Sequence, residues 1–300
     1  GPHPNHAIPD SAENEAELQK SIEMAQRYPD IIKAIAVGNE AMVHWAATYY
    51  VEPGVILAGV RRLQALKKQG ELPADLWITS SDNFASWGGG DDSYHKADLE
   101  ALIREVDFLS VHSYPFHDTH YNPKFWWVPA QEEGLGAEAQ IQKAMERCLA
   151  RVQQQVSSVE GYMQSLGVDK PIHIGETGWA SEDSDLYGAE GSFAADQYKQ
   201  AIYHQMMRKW TDSVGYSCFF FEAFDEPWKD DQDPQGSENH FGLISVDGVV
   251  KQVLWDEFDS GALAGLSRGG QQLRKSTGSP EPLRPPLASA QPVLEIGFEN

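Results

Sequence analysis

The chain has 300 residues, 41% of them hydrophobic, which suits one large domain with a sizeable core and room for an appendage. Its formal charge of −22 repels nucleic acid and anionic membranes and argues against a strongly acidic polymer as substrate, whereas a neutral ligand fits. No apolar run approaches the ~18 residues of a membrane span, and no signal peptide is visible.

In chain order, residues 14–28 read as a helix, with Leu18, Ile22 and Ala25 on one face. Ile31–Val37 is a continuous apolar run, the mark of a strand buried on both faces. Pro53–Gly70 reads as a helix with a stripe of Val55, Leu57, Val60, Leu63 and Leu66. A strand at Leu76–Ser80, a short helix at Asp98–Glu105 and a strand at Val106–Val111 follow. A long helical region covers 136–166 and stops at Gly167. Then come a strand at Ile172–Gly175, a helix over 193–212 and a strand at Gly215–Phe221. Alternating strands and helices imply a parallel sheet built of βα units.

From about residue 259 the composition turns to Gly, Ser, Pro and Gln, which reads as a linker or tail over 259–292. Residues 293–300 resemble the start of a further strand. This places the main domain at 1–258. Cys148 falls in a helical stretch and Cys218 in a strand, so both read as buried thiols rather than a disulfide.

The ends of the five strands change character. They read Gly38-Asn39-Glu40, Ser81-Asp82-Asn83, His112-Ser113-Tyr114-Pro115, Glu176-Thr177-Gly178-Trp179 and Glu222-Ala223-Phe224-Asp225-Glu226-Pro227-Trp228. Polar and aromatic residues gathered at the C-terminal ends of parallel strands are what a (β/α)8 barrel presents as its active face. Glu40 and Glu176 each close an apolar strand. Two carboxyls delivered by separate strands into one cleft are the equipment of a glycosidase. The alternative for each is a salt bridge at a strand end.

These motifs carry a resemblance. Val37-Gly38-Asn39-Glu40, Gly175-Glu176-Thr177-Gly178-Trp179 and Phe224-Asp225-Glu226-Pro227-Trp228-Lys229, in that order, resemble glycoside hydrolase family 17, the β-1,3-glucanases and β-1,3-glucanosyltransferases. The resemblance covers roughly residues 1–258. Plant members usually carry Pro where Ala180 stands, which points to a bacterial-type branch. The resemblance implies an α/β fold, the (β/α)8 TIM barrel of the retaining glycosidase clan. The five visible strands would be its fourth to eighth, with the first three absent from this chain.

The resemblance also implies roles. Glu40 would be the general acid/base and Glu176 the nucleophile. Asn39 would hydrogen-bond the sugar 2-hydroxyl, the alternative being a turn-forming Asn. Glu226 and Lys229 resemble an auxiliary pair of the family, the alternative being a local ion pair three residues apart. Tyr114 would donate to Glu176 or be an ordinary buried aromatic. Trp179, Trp228 and, less so, Phe224 would be sugar platforms or plain core. Asp82 and Asn83 are weaker candidates for the cleft. The aromatic loop Tyr121–Trp127 would wall one end of it. His112, His117 and His120 lack the spacing of a metal site and read as loop and strand-end histidines, with a role toward sugar hydroxyls as the alternative.

The sequence thus predicts a retaining hydrolase of β-1,3-glucosidic bonds, with no cofactor and no metal, acting on β-glucan oligo- or polysaccharide. Transglycosylation by the same glycosyl-enzyme is one alternative, and a non-catalytic carbohydrate-binding barrel is another. A polysaccharide substrate implies an extracytoplasmic site, and the oligomeric state stays open.

Overall fold

The computed structural model describes residues 11–46, 49–184, 192–279 and 282–288. The elements run α1 (Ser11–Arg27), β1 (Ala34–Asn39), α2 (Pro53–Lys68), β2 (Trp77–Asn83), α3 (Ala97–Glu105), β3 (Leu109–His112) and α4 (Pro115–Tyr121). They continue with α5 (Ala137–Ser165), β4 (Ile172–Gly178), α6 (Gln197–Val214), β5 (Ser217–Phe221), β6 (Val249–Val250) and α7 (Trp255–Asp259). Three two-residue strands end the series: β7 (Ser267–Arg268), β8 (Gln271–Gln272) and β9 (Arg274–Lys275). The described residues form two compact units, one of those up to 113 together with 154–175, the other of 114–153 together with those from 176 onward.

In the first unit β1, β2 and β3 lie side by side and parallel, and the first half of β4 follows β3. Register sets Asn39 beside Ser81 and Ser81 beside Ser110, while Asn83 sits beside His112. α2 starts on Pro53, whose missing N–H and fixed φ suit a first helical turn. It buries Ile56, Leu57, Val60 and Leu63. With Ile78, Leu99, Leu102 and Val111 these make the unit's core.

In the second unit the end of β4 neighbours β5. α6 is capped by Asp196, whose side chain accepts from the Lys199 N–H at 2.7 Å. The helix stops at Gly215, whose φ of 75° is the left-handed conformation glycine adopts most readily. Phe116, Trp126, Trp179 and Tyr203 fill the core. Residues 267–276, which composition reads as linker, pair with this unit. Arg274 N–H donates to Gly248 O and Ser276 N–H to Val250 O. The strand suggested for 293–300 lies outside the described residues.

All five strands expected from apolar runs form, with shifted ends. Ile31, expected to open the first strand, is exposed. The N–H groups of Ile31 and Ile32 both turn back to Tyr28 O, so the strand begins at Ala34 instead. β2 continues through Ser80, Ser81 and Asp82, because polar partners inside the sheet satisfy them: Ser80 Oγ donates to Gly38 O and Ser81 bonds Ser110. His117 and His120 lie on α4 rather than in a loop. Cys148 and Cys218 are free thiols, Cys148 fully buried. Among the described residues, no helix is long and apolar enough to cross a membrane.

Candidate active site

In the first unit Glu40 sits one residue past β1, half-buried, with φ at 45°. A non-glycine residue holds that conformation only where its surroundings enforce it. Here the Glu40 N–H donates to Ser81 O at 2.9 Å, and the Met42 N–H donates to Asp82 Oδ2 at 2.9 Å. Asp82 is fully buried, and burial pushes its carboxyl up to about 6 against the pull of the two N–H groups it accepts from.

The Glu40 side chain meets His112, which has no exposed surface. Nδ1 of His112 lies 3.0 Å from Glu40 Oε1, and Nε2 lies 2.6 Å from Ser81 Oγ, itself 2.8 Å from Ser110 Oγ. With the proton on Nδ1, His112 donates to Glu40 and accepts from the Ser81 hydroxyl. The chain fixes the ring and one carboxylate oxygen. Gly175 in β4 packs on the same group. A Cβ there would overlap Ser110 Oγ and Ser81 Oγ, so only glycine lets this strand approach.

In the second unit Glu176, which follows Gly175 directly, accepts a hydrogen bond at Oε2 from the Tyr114 hydroxyl at 2.9 Å. The Tyr114 ring packs edge-on against Phe221 and Phe241, with centroids 6.3 and 5.9 Å away. Lys229 Nζ lies over the Phe221 ring at 4.1 Å and 3.5 Å from Glu226 Oε2. Glu222 joins this group. Burial and the neighbouring Glu226 carboxyl push it up to about 7, and its Oε1 is buried without a hydrogen-bond partner.

The sequence profile of the family described as BtgE/BtgC glycoside hydrolase domain matches residues 6–242. The chain belongs to this family. It carries the family 17 character its motifs resemble. An endo-laminarinase from Formosa Hel1_33_131 is 53% identical, with a TM-score of 0.92, and the alignment covers 96% of this chain and 74% of that one. A glucan 1,3-beta-glucosidase of Schizosaccharomyces pombe is 25% identical over 249 residues, 82% of this chain. The chain spans only 64% of that relative's length. The family 17 β-1,3-glucanosyltransferase of Rhizomucor miehei shares the fold, at 21% identity and a TM-score of 0.50, over 80% of this chain and 69% of that one.

Within this glycoside hydrolase domain the sequence-derived candidates separate. Asn39 ends β1 in the first unit with Glu40 one residue beyond it, and Asn39 is exposed. Tyr114 and Glu176 are joined directly in the second. Glu226 and Lys229 form the local pair that was the alternative reading, with Lys229 also on the Phe221 face. Phe224 is half-buried, and its backbone bridges to Ile244. Trp228 is 61% exposed.

Trp179 corrects the expectation of a sugar platform. It is fully buried among Phe116, Trp126 and Tyr203, with its indole N–H given to Ala194 O, so no ring face is open. The aromatic loop divides between core and surface. Phe125 and Trp126 are core, pinned in part by Arg147 on Phe125 O, and Tyr121 alone of the loop's aromatic residues is exposed. His112 is the residue that sequence reasoning undervalued. Its one cue is a histidine ending a short strand with no other polar residue but Ser110.

Proposed function

We propose that this chain is the catalytic part of a retaining hydrolase of β-1,3-glucosidic bonds in β-glucans. The observation that carries the reading is the 53% identity to an endo-laminarinase over 96% of the chain. The local geometry supports it. Glu40, one residue past β1, has one oxygen held by a buried histidine, and Glu176 in β4 has one oxygen held by a phenol.

In this reading Glu176 attacks the anomeric carbon and forms a glycosyl-enzyme while Glu40 gives a proton to the departing glycosidic oxygen. Glu40 then takes a proton from water, whose oxygen attacks the anomeric carbon and releases Glu176. Such pairs work at a separation of about 5 Å, one carboxyl protonated and one ionised. Asn39 next to Glu40 would hold the sugar 2-hydroxyl, a bond that tightens as positive charge builds on the ring. His112 fixes Glu40 Oε1, which leaves Oε2 to carry the proton. Phe224, Trp228 and the Glu226–Lys229 pair would border the bound sugar. The reading needs no metal and no cofactor.

The five strands would be the fourth to eighth of a (β/α)8 barrel whose catalytic groups stand at C-terminal strand ends. Exposed Ala34 and Ala36 in β1, and Phe219 in β5, 70% exposed, are side chains that further strands would cover. A polysaccharide substrate places the protein outside the cytoplasm.

Incubating the full-length protein with laminari-oligosaccharides tests the function. Shorter products alone are expected. Products longer than the substrate would make it a glucanosyltransferase, and an untouched substrate would overturn the reading.

A further inference from the structure

Between β1 and α2 the described loop residues, 41–46 and 49–52, are held at several points. The Val51 N–H donates to Ala41 O at 2.8 Å and closes the loop. The Met42 N–H is held by the buried Asp82 carboxyl at 2.9 Å. The His44 ring stacks on Tyr94, with centroids 3.8 Å apart, and the His44 N–H donates to the Tyr94 hydroxyl at 3.2 Å. Met42, Val43, Ala46, Tyr50 and Val51 are buried. Two large side chains break that pattern. Trp45 is 65% exposed and Tyr49 is 56% exposed.

A single exposed aromatic needs no explanation. Two rings on an anchored loop that starts one residue after Glu40 differ from that case. Backbone bonds from the Ala46 N–H to Val43 O and from the Tyr49 N–H to Ala46 O hold the stretches that carry them, so the rings are presented at little further entropic cost. The Val51 N–H to Ala41 O bond brings the Tyr49 end of the loop back to the residue that follows Glu40. Partial burial, and then the negative charges of Glu40 and Asp82, push the Tyr49 phenol above the ordinary tyrosine range.

We propose that Trp45 and Tyr49 form a stacking platform for a glucose ring of the β-1,3-glucan on the leaving-group side of Glu40. The inference rests on the function proposed above and specifies one subsite of it. A general acid must stand beside the oxygen it protonates, so side chains on its flank meet the sugar that departs. A pyranose ring has a face of C–H bonds that packs on flat aromatic surfaces, and an indole and a phenol give area with few rotors to freeze. The site therefore takes a neutral sugar ring as leaving group.

The test compares two leaving groups in the full-length protein. Laminari-oligosaccharides release a sugar that the platform would hold, whereas laminaribiosyl β-fluoride releases fluoride, which has nothing to stack. Trp45→Ala and Tyr49→Ala are each expected to lower kcat/KM on oligosaccharides by about tenfold. The same variants should leave turnover of the fluoride close to the parent value. Trp45→Phe and Tyr49→Phe keep a ring and should retain most of the oligosaccharide activity, which separates stacking from a folding defect. Equal losses on both substrates, or no loss on either, would overturn the platform while the hydrolase reading stood. A parent protein inert on both substrates would instead remove the function on which the platform depends.

Discussion

Tyr114 donates its phenolic hydrogen to Glu176 Oε2 across 2.9 Å, from the residue just before α4 to the middle of β4. The ring is held edge-on by Phe221 and Phe241, so the hydroxyl has little freedom to leave the carboxylate. A nucleophile oriented this way loses its alignment when the donor is removed. Tyr114→Phe should lower kcat by at least about tenfold with a small change in KM. Steady-state kinetics on laminari-oligosaccharides checks this, with the melting temperature as control. Parent-level kcat in the variant would mean that the phenol does not orient the reacting group.

His112 holds Glu40 Oε1 through its Nδ1 at 3.0 Å. Truncating it leaves Glu40 Oε1 and Ser81 Oγ without the ring that joins them, at a cost of roughly 1–3 kcal/mol in stability. His112→Ala should also slow cleavage of sugar leaving groups more than release of fluoride, because the first needs a well-placed proton and the second needs it less. Comparing the two substrates reads this directly. Equal slowing of both would reduce His112 to a structural role.

The two candidate tryptophans should part company under mutation. Trp179 is enclosed by aromatic rings, and Trp179→Ala should cost about 3–5 kcal/mol in a denaturant titration. Trp228 is largely exposed, so Trp228→Ala should leave the unfolding midpoint near that of the parent and raise KM. A stable Trp179→Ala protein with weakened sugar binding would contradict the placement of Trp179 in the core.

Asp82 gives a pH signature. Its folded-state value of about 6 lies above the ordinary aspartate value of 3.8 because the carboxyl is buried. The protonated form therefore favours the fold. This contribution is complete below about pH 4 and is lost as pH rises through about 6, a change on the order of 2–3 kcal/mol. Asp82→Asn cannot ionise and should lack that loss. The parent-minus-variant difference in unfolding free energy, measured from pH 4 to 8, should change across this window. A flat difference would contradict the assignment.

Much of this architecture was legible in the residues themselves. Apolar runs ending in Glu40 and Glu176 mark β1 and β4, and the 3.6-residue stripe of α2 is plain because burial on one face dictates it. The C-terminal part of β2 was hidden. Ser80, Ser81 and Asp82 are polar, and the partners that make them acceptable inside a sheet come from β1, β3 and the loop after β1. His112 was undervalued for the same reason, since its contribution depends on Glu40, 72 residues earlier in sequence and two strands away. Trp179 and Trp228 look alike in sequence, and their difference is a matter of which neighbours enclose the ring. Trp45 and Tyr49 gave no signal, because a loop's anchoring contacts appear only once the chain is folded.

The central claim is that Glu176 forms a covalent bond to sugar during turnover. Incubating the full-length protein with a 2-fluoro laminaribiosyl fluoride, then mapping peptides by mass spectrometry, tests it most directly. One glycosyl adduct on the peptide carrying Glu176, absent in Glu176→Gln, is the expected outcome. An adduct on another carboxyl, or turnover of the reagent by Glu176→Gln at the parent rate, would contradict the account.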